Sequence, residues 1–358
     1  MSNERNKSIL ITGGAGFIGA NFVHYWHNKY PQDTLIIYDV LTYAGNLTSI
    51  NDLIDEGKVY FVKGDIADRA NVESVMQTYD VCTIVNFAAE SHVDRSINGA
   101  TDFIQTNIVG TFQLLEAAKN VWLAGDNKEN EYRFHHVSTD EVYGSLTSLE
   151  PAFTEKHQYQ PNSPYSASKA ASDHLVRAYH HTYGLNVTTS NCSNNYGPYH
   201  YPEKLIPLVI TNILHDRPLP VYGDGQQVRD WLHVVDHCRG IEAILQHGKI
   251  AETYNIGGEN EWQNIDIVKL ICQIMNDKIS GSEQYQQLFP CALKAKLSCS
   301  EALISYVEDR PGHDVRYAID NSKIKKELGF QVNTSFKQGL EQTIDWYLNN
   351  TSWWMPLI

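Results

Sequence analysis

Short apolar runs alternate with longer amphipathic segments through the first half of the chain. The runs predicted to be buried strands are Ser8–Thr12, Leu35–Asp39, Val59–Lys63, Val81–Phe87, Phe134–Val137 and Asn186–Ser190. The segments between them with helical spacing are Ala20–Tyr30, Ala70–Thr78, Asn107–Lys119 and Ser163–Tyr183. Because crossover helices connect parallel strands, this alternation predicts an α/β fold with a doubly wound parallel sheet and helices on both faces.

The pattern changes near Asn191, where turn-forming residues replace the regular alternation. A helix (Val234–His247) and a strand (Thr253–Ile256) come next, and they read as a return to the first layer. We therefore predict a nucleotide-binding domain over residues 1–190 with returning segments at about 230–258. Residues 191–229 and 259–358 would form a smaller, discontinuous substrate domain, and the polar stretch 127–131 reads as a surface insertion.

A glycine-rich turn separates the first strand from the first helix. Gly14, Gly16 and Gly19 have the spacing G-x-G-x-x-G, and Asp39 ends the second strand 20 residues after Gly19. Such a turn admits a pyrophosphate at the helix N-terminus, and the carboxylate accepts from a ribose diol while repelling a 2′-phosphate. The pattern therefore predicts a Rossmann-like site for NAD rather than NADP, with a plain glycine turn and a surface aspartate as the alternative.

The ends of the later strands supply further candidate cofactor contacts. Asp65 could bracket an adenine ring together with Ile66, although capping of the following helix is an equal alternative for Asp65. Small residues after the fourth strand would let backbone approach the cofactor. The complete predicted cofactor set is Gly13, Gly16, Phe17, Ile18, Gly19, Asp39, Thr42, Asp65, Ile66, Ala88, Ala89, Ser91, Tyr165, Lys169 and Asn195.

Two groups of proton-transfer residues lie beyond the central strands. Thr139, Asp140 and Glu141 close the apolar run that ends at Val137, while Tyr165 and Lys169 have i, i+4 spacing on a predicted helix. On one helix face Lys169 would lower the pKa of the Tyr165 phenol, and a phenolate is a base suited to a sugar alcohol. The carboxyl pair would allow a second proton-transfer step. The alternative is a pair of solvated carboxylates at a strand end.

Composition excludes several classes of protein. The 358 residues are 42% hydrophobic, which allows a sizeable core, and 28 Lys plus Arg against 42 Asp plus Glu give a net charge of −14. An acidic chain with no basic run is a poor nucleic-acid binder. No apolar run approaches a membrane span, and residues 1–7 lack the apolar core of a signal peptide. The six cysteines have no C-x-x-C spacing, which predicts free thiols and a cytoplasmic protein. The histidines form no metal-binding motif, so no metal site is predicted.

The chain resembles the extended short-chain dehydrogenase/reductase family, and within it the branch that dehydrates dTDP-glucose. The resemblance runs from about residue 8 to 330, and Thr139-Asp140-Glu141 is its discriminating part because related epimerases usually lack both carboxyls. The other matching segments are 13–19, 41–46, 88–96, 138–143, 165–169, 191–198, 204–207, 221–225, 229–231 and 309–314.

This resemblance implies an NAD-dependent lyase that makes a 4-keto-6-deoxy sugar. Tyr165 would take the 4-hydroxyl proton while C4 gives its hydride to NAD, with Lys169 stabilising the phenolate and Thr139 bonding the 4-oxygen. Glu141 would act as the base at C5 and Asp140 as the acid for the departing 6-hydroxyl, after which the hydride returns to C6. Opposite roles require a raised pKa for Asp140.

The resemblance also implies where the sugar nucleotide binds. Arg229 is the candidate diphosphate clamp, with a surface ion pair to Asp224 or Asp230 as the alternative. Tyr222 could stack on a pyrimidine or belong to the core. The implied substrate set is Ser91, Thr139, Asn194, Lys204, Leu205, Pro220, Tyr222, Arg229, Asn264, Asp309, Arg310 and His313.

Two other functions and one assembly remain open at this point. A related epimerase or decarboxylase would use Tyr165 and Lys169 without needing Asp140 and Glu141 in these roles. A catalytically silent NAD-binding protein would need none of the four. Family members are usually homodimers joined by a four-helix bundle, which residues 101–119 and 167–181 could supply.

Overall fold

A computed structural model describes residues 6–124 and 132–358, so the predicted insertion at 127–131 lies outside the described residues. The strands in these ranges are β1 Ser8–Thr12, β2 Thr34–Asp39, β3 Tyr60–Lys63, β4 Thr83–Asn86, β5 Arg133–Thr139, β6 Val187–Cys192, β7 Asn194–Tyr196, β8 Leu219–Tyr222, β9 Val228–His233, β10 Thr253–Ile256, β11 Glu261–Gln263 and β12 Ile304–Val307.

Helices connect most of these strands. They are α1 Phe17–Lys29, α2 Asn51–Asp55, α3 Arg69–Thr78, α4 Val93–Asn98, α5 Thr101–Phe103, α6 Thr111–Leu123, α7 Pro164–Tyr183, α8 Leu205–Leu214, α9 Val234–His247, α10 Asn264–Ser280, α11 Glu283–Leu288, α12 Leu293–Lys296, α13 Ser322–Leu328, α14 Phe336–Asn349 and α15 Thr351–Trp354. A π-helical stretch, Ile104–Gly110, joins α5 to α6. In the described ranges, no helix is long and apolar enough to cross a bilayer.

The main sheet confirms the predicted doubly wound α/β fold. Among the described residues it has seven parallel strands in the order β10-β6-β5-β4-β1-β2-β3. Strands β2 and β3 lie on one side of β1, and β4 lies on its other side. Ligands of such sheets bind beyond the strand ends at this switch point between β1 and β4. The residues Thr139, Asp140 and Glu141 at the end of β5 are called the Thr139 triplet. The glycine turn after β1 and this triplet therefore lie at the same edge of the sheet.

Three large hydrophobic clusters, and a smaller one around Val142 and Phe153, organise the packing of the described residues. Two cover the faces of the main sheet; one includes Trp26 and Ile37 and the other includes Phe134 and Leu114. A third is built around α8, α10 and α14 in the C-terminal half, next to a small sheet of β7, β9 and β11. This separate core supports the predicted substrate domain, whose boundaries stay a prediction.

Most element boundaries agree with the sequence pattern to within a few residues, and the differences have local causes. Helix α1 begins at Phe17 rather than Ala20, because the glycine turn ends at Gly16. The helix predicted over 107–119 begins earlier and runs to Leu123, since the π-helical stretch continues directly into α6. Strand β6 extends to Cys192, where it pairs with Thr139 of β5.

Candidate active site

The turn after β1 is shaped for close approach by a ligand. Gly13 has φ +66°, and a Cβ there would lie 2.7 Å from Ala88 N. A Cβ on Gly19 would lie 2.3 Å from Gly13 O, so this glycine is needed for the close packing of α1 on the turn. Gly16 caps α1 without a side-chain hydrogen bond, which leaves N–H groups at the helix N-terminus available to an anion. These features fit the pyrophosphate of the predicted dinucleotide.

The Asp39 carboxylate is fixed beside this turn. It accepts hydrogen bonds from Ala15 N at 3.0 Å and Leu41 N at 2.8 Å. Burial raises its pKa, and the two backbone donors oppose that shift. A buried carboxylate held by backbone amides is not the loose surface aspartate of the alternative interpretation. Its position at the end of β2 suits a ribose diol.

Asp65 does not cap the helix after it. It is exposed, and its Oδ1 accepts from Ala67 N at 2.8 Å in a local turn. The cap of α3 is Asp68, whose side chain accepts from Asn71 N, so the capping interpretation of Asp65 is wrong. Asp65 and Ile66 both line the cavity beside the glycine turn, and their contact with an adenine stays a prediction.

The Thr139 triplet forms the first turn after β5. Thr139 Oγ1 accepts from Glu141 N at 3.3 Å and donates to Asp140 Oδ1 at 3.4 Å, and a single 3₁₀ turn (Asp140–Tyr143) comes next. This capping interaction fixes the two carboxyl groups relative to the strand end. Asp140 is 1% exposed and its Oδ2 has no hydrogen-bond partner among the described residues, whereas Glu141 is partly exposed.

The surroundings of the two carboxyl groups differ in charge as well as burial. Burial raises the pKa of Asp140 well above its usual range, and the negative charge of Glu141 adds to the shift. Burial also raises the pKa of Glu141, but the positive charges of Arg310, Arg229 and Lys204 oppose it. The arrangement therefore favours a protonated Asp140 beside a more readily ionised Glu141, as an acid and base pair requires.

Helix α7 carries Tyr165 and Lys169 into the same cavity. The helix starts with a capping box between Ser163 and Ser166, with Pro164 in its first turn. Lys169 Nζ donates to Val137 O at 2.8 Å, which ties the ammonium to β5. The predicted lowering of the Tyr165 pKa is wrong for this structure. Burial and then the charge of Glu141 raise that pKa well above its usual range, against a hydrogen bond from Thr139.

One cavity of about 450 Å³ collects the predicted cofactor set and the catalytic candidates. Every residue predicted for the cofactor lines it, together with Thr139, Asp140 and Glu141. Five substrate candidates line it: Ser91, Thr139, Asn194, Lys204 and Leu205. Asn194 Oδ1 is buried and has no hydrogen-bond partner in the described ranges, as expected for an atom that binds a ligand.

The remaining substrate candidates form a second group next to the cavity. Asp94 of α4 joins the group, since it accepts from Tyr222 Oη and Arg310 Nη1, each at 3.2 Å. Asp309 accepts from Gln227 Nε2 at 3.1 Å and lies 2.6 Å from His313 Nδ1. Arg229 on β9 lies within electrostatic range of Arg310 and His313, and Asn264 N at the start of α10 donates to Gln227 O at 3.0 Å. Pro220 lies on β8, two residues before Tyr222. Asp94 lies within the matching segment 88–96, but sequence reasoning assigns it no role.

The alternatives for two of these residues are wrong. Arg229 is 5% exposed and donates to Val228 O at 2.7 Å and Asp314 O at 2.9 Å, so it is not in a surface ion pair. Asp230 instead accepts from Gly258 N and Asn260 N, each at 2.7 Å. Tyr222 is 40% exposed, which excludes a core position and leaves its ring accessible for stacking.

The fold and the Tyr165–Lys169 pair place the chain among the short-chain dehydrogenase/reductases of the extended type. A family model described as GDP-mannose 4,6 dehydratase matches residues 10–343. A dTDP-glucose 4,6-dehydratase of Neisseria meningitidis is 51% identical over 98% of this chain and 96% of its own. One from Xanthomonas campestris is 54% identical over 96% of this chain and 94% of its own.

Solved structures agree with these relatives. The crystal structure of a dTDP-glucose 4,6-dehydratase from Bacillus anthracis, in complex with NAD, is 44% identical and has a TM-score of 0.84. The match covers 98% of this chain and 100% of the Bacillus chain. The chain belongs to the dTDP-glucose 4,6-dehydratase family.

Proposed function

We propose that this protein is an NAD-dependent hydro-lyase that converts dTDP-glucose to dTDP-4-keto-6-deoxyglucose. The observation that carries the proposal is the buried Asp140 next to the less buried Glu141, both in the cavity that holds Tyr165. Oxidation at C4 needs only Tyr165 and Lys169, whereas elimination of water needs an added base and an added acid. The glycine turn and Asp39 would hold NAD, which would supply the acceptor for the C4 hydride and the donor of that hydride to C6.

The protein residues move protons in two stages. Tyr165 accepts the proton of the 4-hydroxyl as a phenolate. Burial raises the pKa of Tyr165, and the positive charge of Lys169 one helical turn away acts against that rise and stabilises the phenolate. Thr139 bonds the 4-oxygen. The ketone at C4 acidifies the C5 proton, which Glu141 removes, while Asp140 gives its proton to the departing 6-oxygen. When the hydride reaches C6, Glu141 returns a proton that has exchanged with solvent to C5. The raised pKa of Asp140 keeps that proton available at neutral pH.

The substrate nucleotide is proposed to bind across the second group of residues. Arg229 and Arg310 provide guanidinium donors for the diphosphate, and the accessible ring of Tyr222 stacks on the base. Asn264 Oδ1 is buried with no hydrogen-bond partner among the described residues, which supports a ligand contact there. Because Arg310 pairs with Asp94, substrate binding must compete with that ion pair or bind around it.

Turnover of dTDP-glucose in deuterium oxide, followed by mass spectrometry, tests the proposal. We expect loss of water with one deuterium fixed at C5. A product of unchanged mass would indicate epimerisation instead. Asp140→Asn and Glu141→Gln are the matched variants, and each is expected to lower kcat by about 10² to 10⁴ while leaving NAD binding intact. Full turnover by both variants would exclude the dehydratase mechanism.

We also propose a cytoplasmic homodimer. All six cysteines are free, which suits a reducing compartment. Helices α6 and α7 pack against each other; Ile104 on the adjoining π-helical stretch is 50% exposed and Phe112 on α6 is 37% exposed. Such a surface supports pairing through a four-helix bundle. Ultracentrifugation is expected to give twice the chain mass, and Ile104→Glu with Phe112→Glu to give a monomer that still binds NAD.

A further inference from the structure

Asp173 lies on α7 one turn beyond Lys169 and two turns beyond Tyr165. The spacing i, i+4, i+8 places all three on one helix face. Asp173 is 5% exposed, and its Oδ2 accepts from Ser138 Oγ at 2.8 Å. Ser138 directly precedes Thr139. One carboxylate thus contacts the strand that carries the acid and base, while it sits on the helix that carries the oxidising pair.

The second oxygen of this carboxylate faces the ring of His136. Asp173 Oδ1 lies 3.3 Å from His136 Nε2, but neither atom makes a hydrogen bond within the described residues. Burial, together with the charge of Lys169, lowers the pKa of His136 against the opposing effect of the Asp173 carboxylate, so its ring is neutral at neutral pH. A buried carboxylate without a cationic partner in direct contact costs stability. A side chain that only tied α7 to β5 would not need a charge, because asparagine could accept the same hydrogen bond.

The charge has a second neighbour in Lys169. Burial lowers the pKa of Lys169, and Asp173 is the first group that opposes this, followed by Cys192 on β6. The pKa of the Cys192 thiol is raised to about 12, so it is neutral under working conditions. The groups that face Asp173 from other elements, His136 on β5 and the phenols of Tyr143 and Tyr159, carry no negative charge there, since burial raises the pKa of both phenols.

We propose that Asp173 is a positioning residue of this enzyme, and the proposal rests on the function given above. Its carboxylate keeps Lys169 charged beside Tyr165, and through Ser138 it fixes the strand end that carries Thr139, Asp140 and Glu141. Asp173 does not line the cavity proposed to hold the sugar and the nicotinamide, so it acts through these neighbours.

Two variants separate the charge from the hydrogen bond. Asp173→Asn keeps an acceptor for Ser138 and removes the charge. Lys169 should then lose its proton at lower pH, so the high-pH decline of kcat should move toward neutrality and kcat at pH 8 should fall about tenfold. Ser138→Ala keeps the charge and should lower kcat without moving the decline. Asp173→Glu should retain the wild-type profile.

Asp33→Asn is the control for a merely structural effect. Asp33 is also a buried carboxylate, which accepts from Lys7 N and Trp26 Nε1 at 2.9 Å each. It directly precedes β2, at the end of that strand opposite to Asp39. Its loss should lower the melting temperature and leave the pH profile in place. The proposal is overturned if Asp173→Asn keeps the wild-type profile or if Asp33→Asn shifts it equally. Wild-type turnover of dTDP-glucose in the same series tests the proposed function separately.

A direct titration avoids reliance on activity. The ¹³Cε resonance of Lys169 in lysine-labelled enzyme, assigned with Lys169→Arg, reports the ammonium without substrate. Its midpoint should fall in Asp173→Asn and stay unchanged in Asp33→Asn. An unchanged midpoint in Asp173→Asn would refute the electrostatic part of the proposal.

Discussion

Asp140 and Glu141 are consecutive residues in very different surroundings. The Asp140 side chain is almost fully buried, and its Oδ2 has no hydrogen-bond partner among the described residues. Glu141 is partly exposed, and three positively charged side chains act to lower its pKa. The single 3₁₀ turn after β5 produces this difference, because it directs neighbouring side chains to different environments. Two identical functional groups thereby acquire different proton affinities.

The burial of Asp140 has a consequence for stability. Its folded-state pKa is raised, so the folded protein holds this proton more tightly than the unfolded chain does. Its contribution to stability is therefore full below the unfolded pKa and is lost as pH rises through the folded pKa. Asp140→Asn should raise the melting temperature above neutral pH by a few degrees, although it slows turnover. Calorimetry at pH 5 and pH 8 checks this, and an equal effect at both values would contradict it.

Arg310 should influence the base as well as the substrate. It is the first of the positive charges that lower the pKa of Glu141, so Arg310→Ala should raise that pKa. The acidic limb of the kcat profile should then move to higher pH, and KM for dTDP-glucose should rise about tenfold through the lost diphosphate contact. Arg239→Ala, which removes an arginine paired with Asp236 on α9, is the control and should change neither quantity.

Gly19 should be intolerant of any side chain. Its Cβ would lie 2.3 Å from Gly13 O and 2.8 Å from Gly14 Cα, so alanine must displace the turn that receives the pyrophosphate. We expect Gly19→Ala to cost about 1–3 kcal/mol of unfolding free energy and to weaken NAD binding strongly. At Gly99 an added Cβ meets nothing within 4 Å, so Gly99→Ala should be neutral in calorimetry and in NAD titration.

Asp39 should control the choice between NAD and NADP. Its carboxylate is already held by Ala15 N and Leu41 N, so it is preorganised to accept from a ribose diol. Asp39→Asn should weaken NAD about tenfold and improve NADP, because the repulsion of a 2′-phosphate is removed. Isothermal titration with both cofactors measures this. A selectivity ratio equal to that of the wild type would rule out the assigned role.

Local sequence signals predict the fold well where each element carries its own periodicity. The helix Val234–His247 and the strand Thr253–Ile256 appear with the predicted bounds. The glycine turn and the residues at the strand ends are also local in sequence. Parallel strands bring these ends to one edge, so the candidate active-site cavity could be predicted without knowledge of any long-range contact.

The features that sequence reasoning missed depend on distant contacts. Arg310 and Asp94 are 216 residues apart, and Arg229 is held by Asp314 O, 85 residues away. The direction of the Tyr165 pKa shift is wrong in the sequence-based prediction because burial, which a helical spacing does not reveal, outweighs the nearby ammonium. Asp173 did carry a signal, since it continues the i, i+4 series from Tyr165, but its partner Ser138 lies on another element.

The separation of the Tyr165–Lys169 pair on α7 from the Asp140–Glu141 pair after β5 makes the chemistry modular. Substitutions in the short turn after β5 can change the fate of the oxidised sugar, while the helix that performs the oxidation keeps its sequence and packing. New sugar-modifying activities on this scaffold should therefore be reachable through a handful of positions at one strand end.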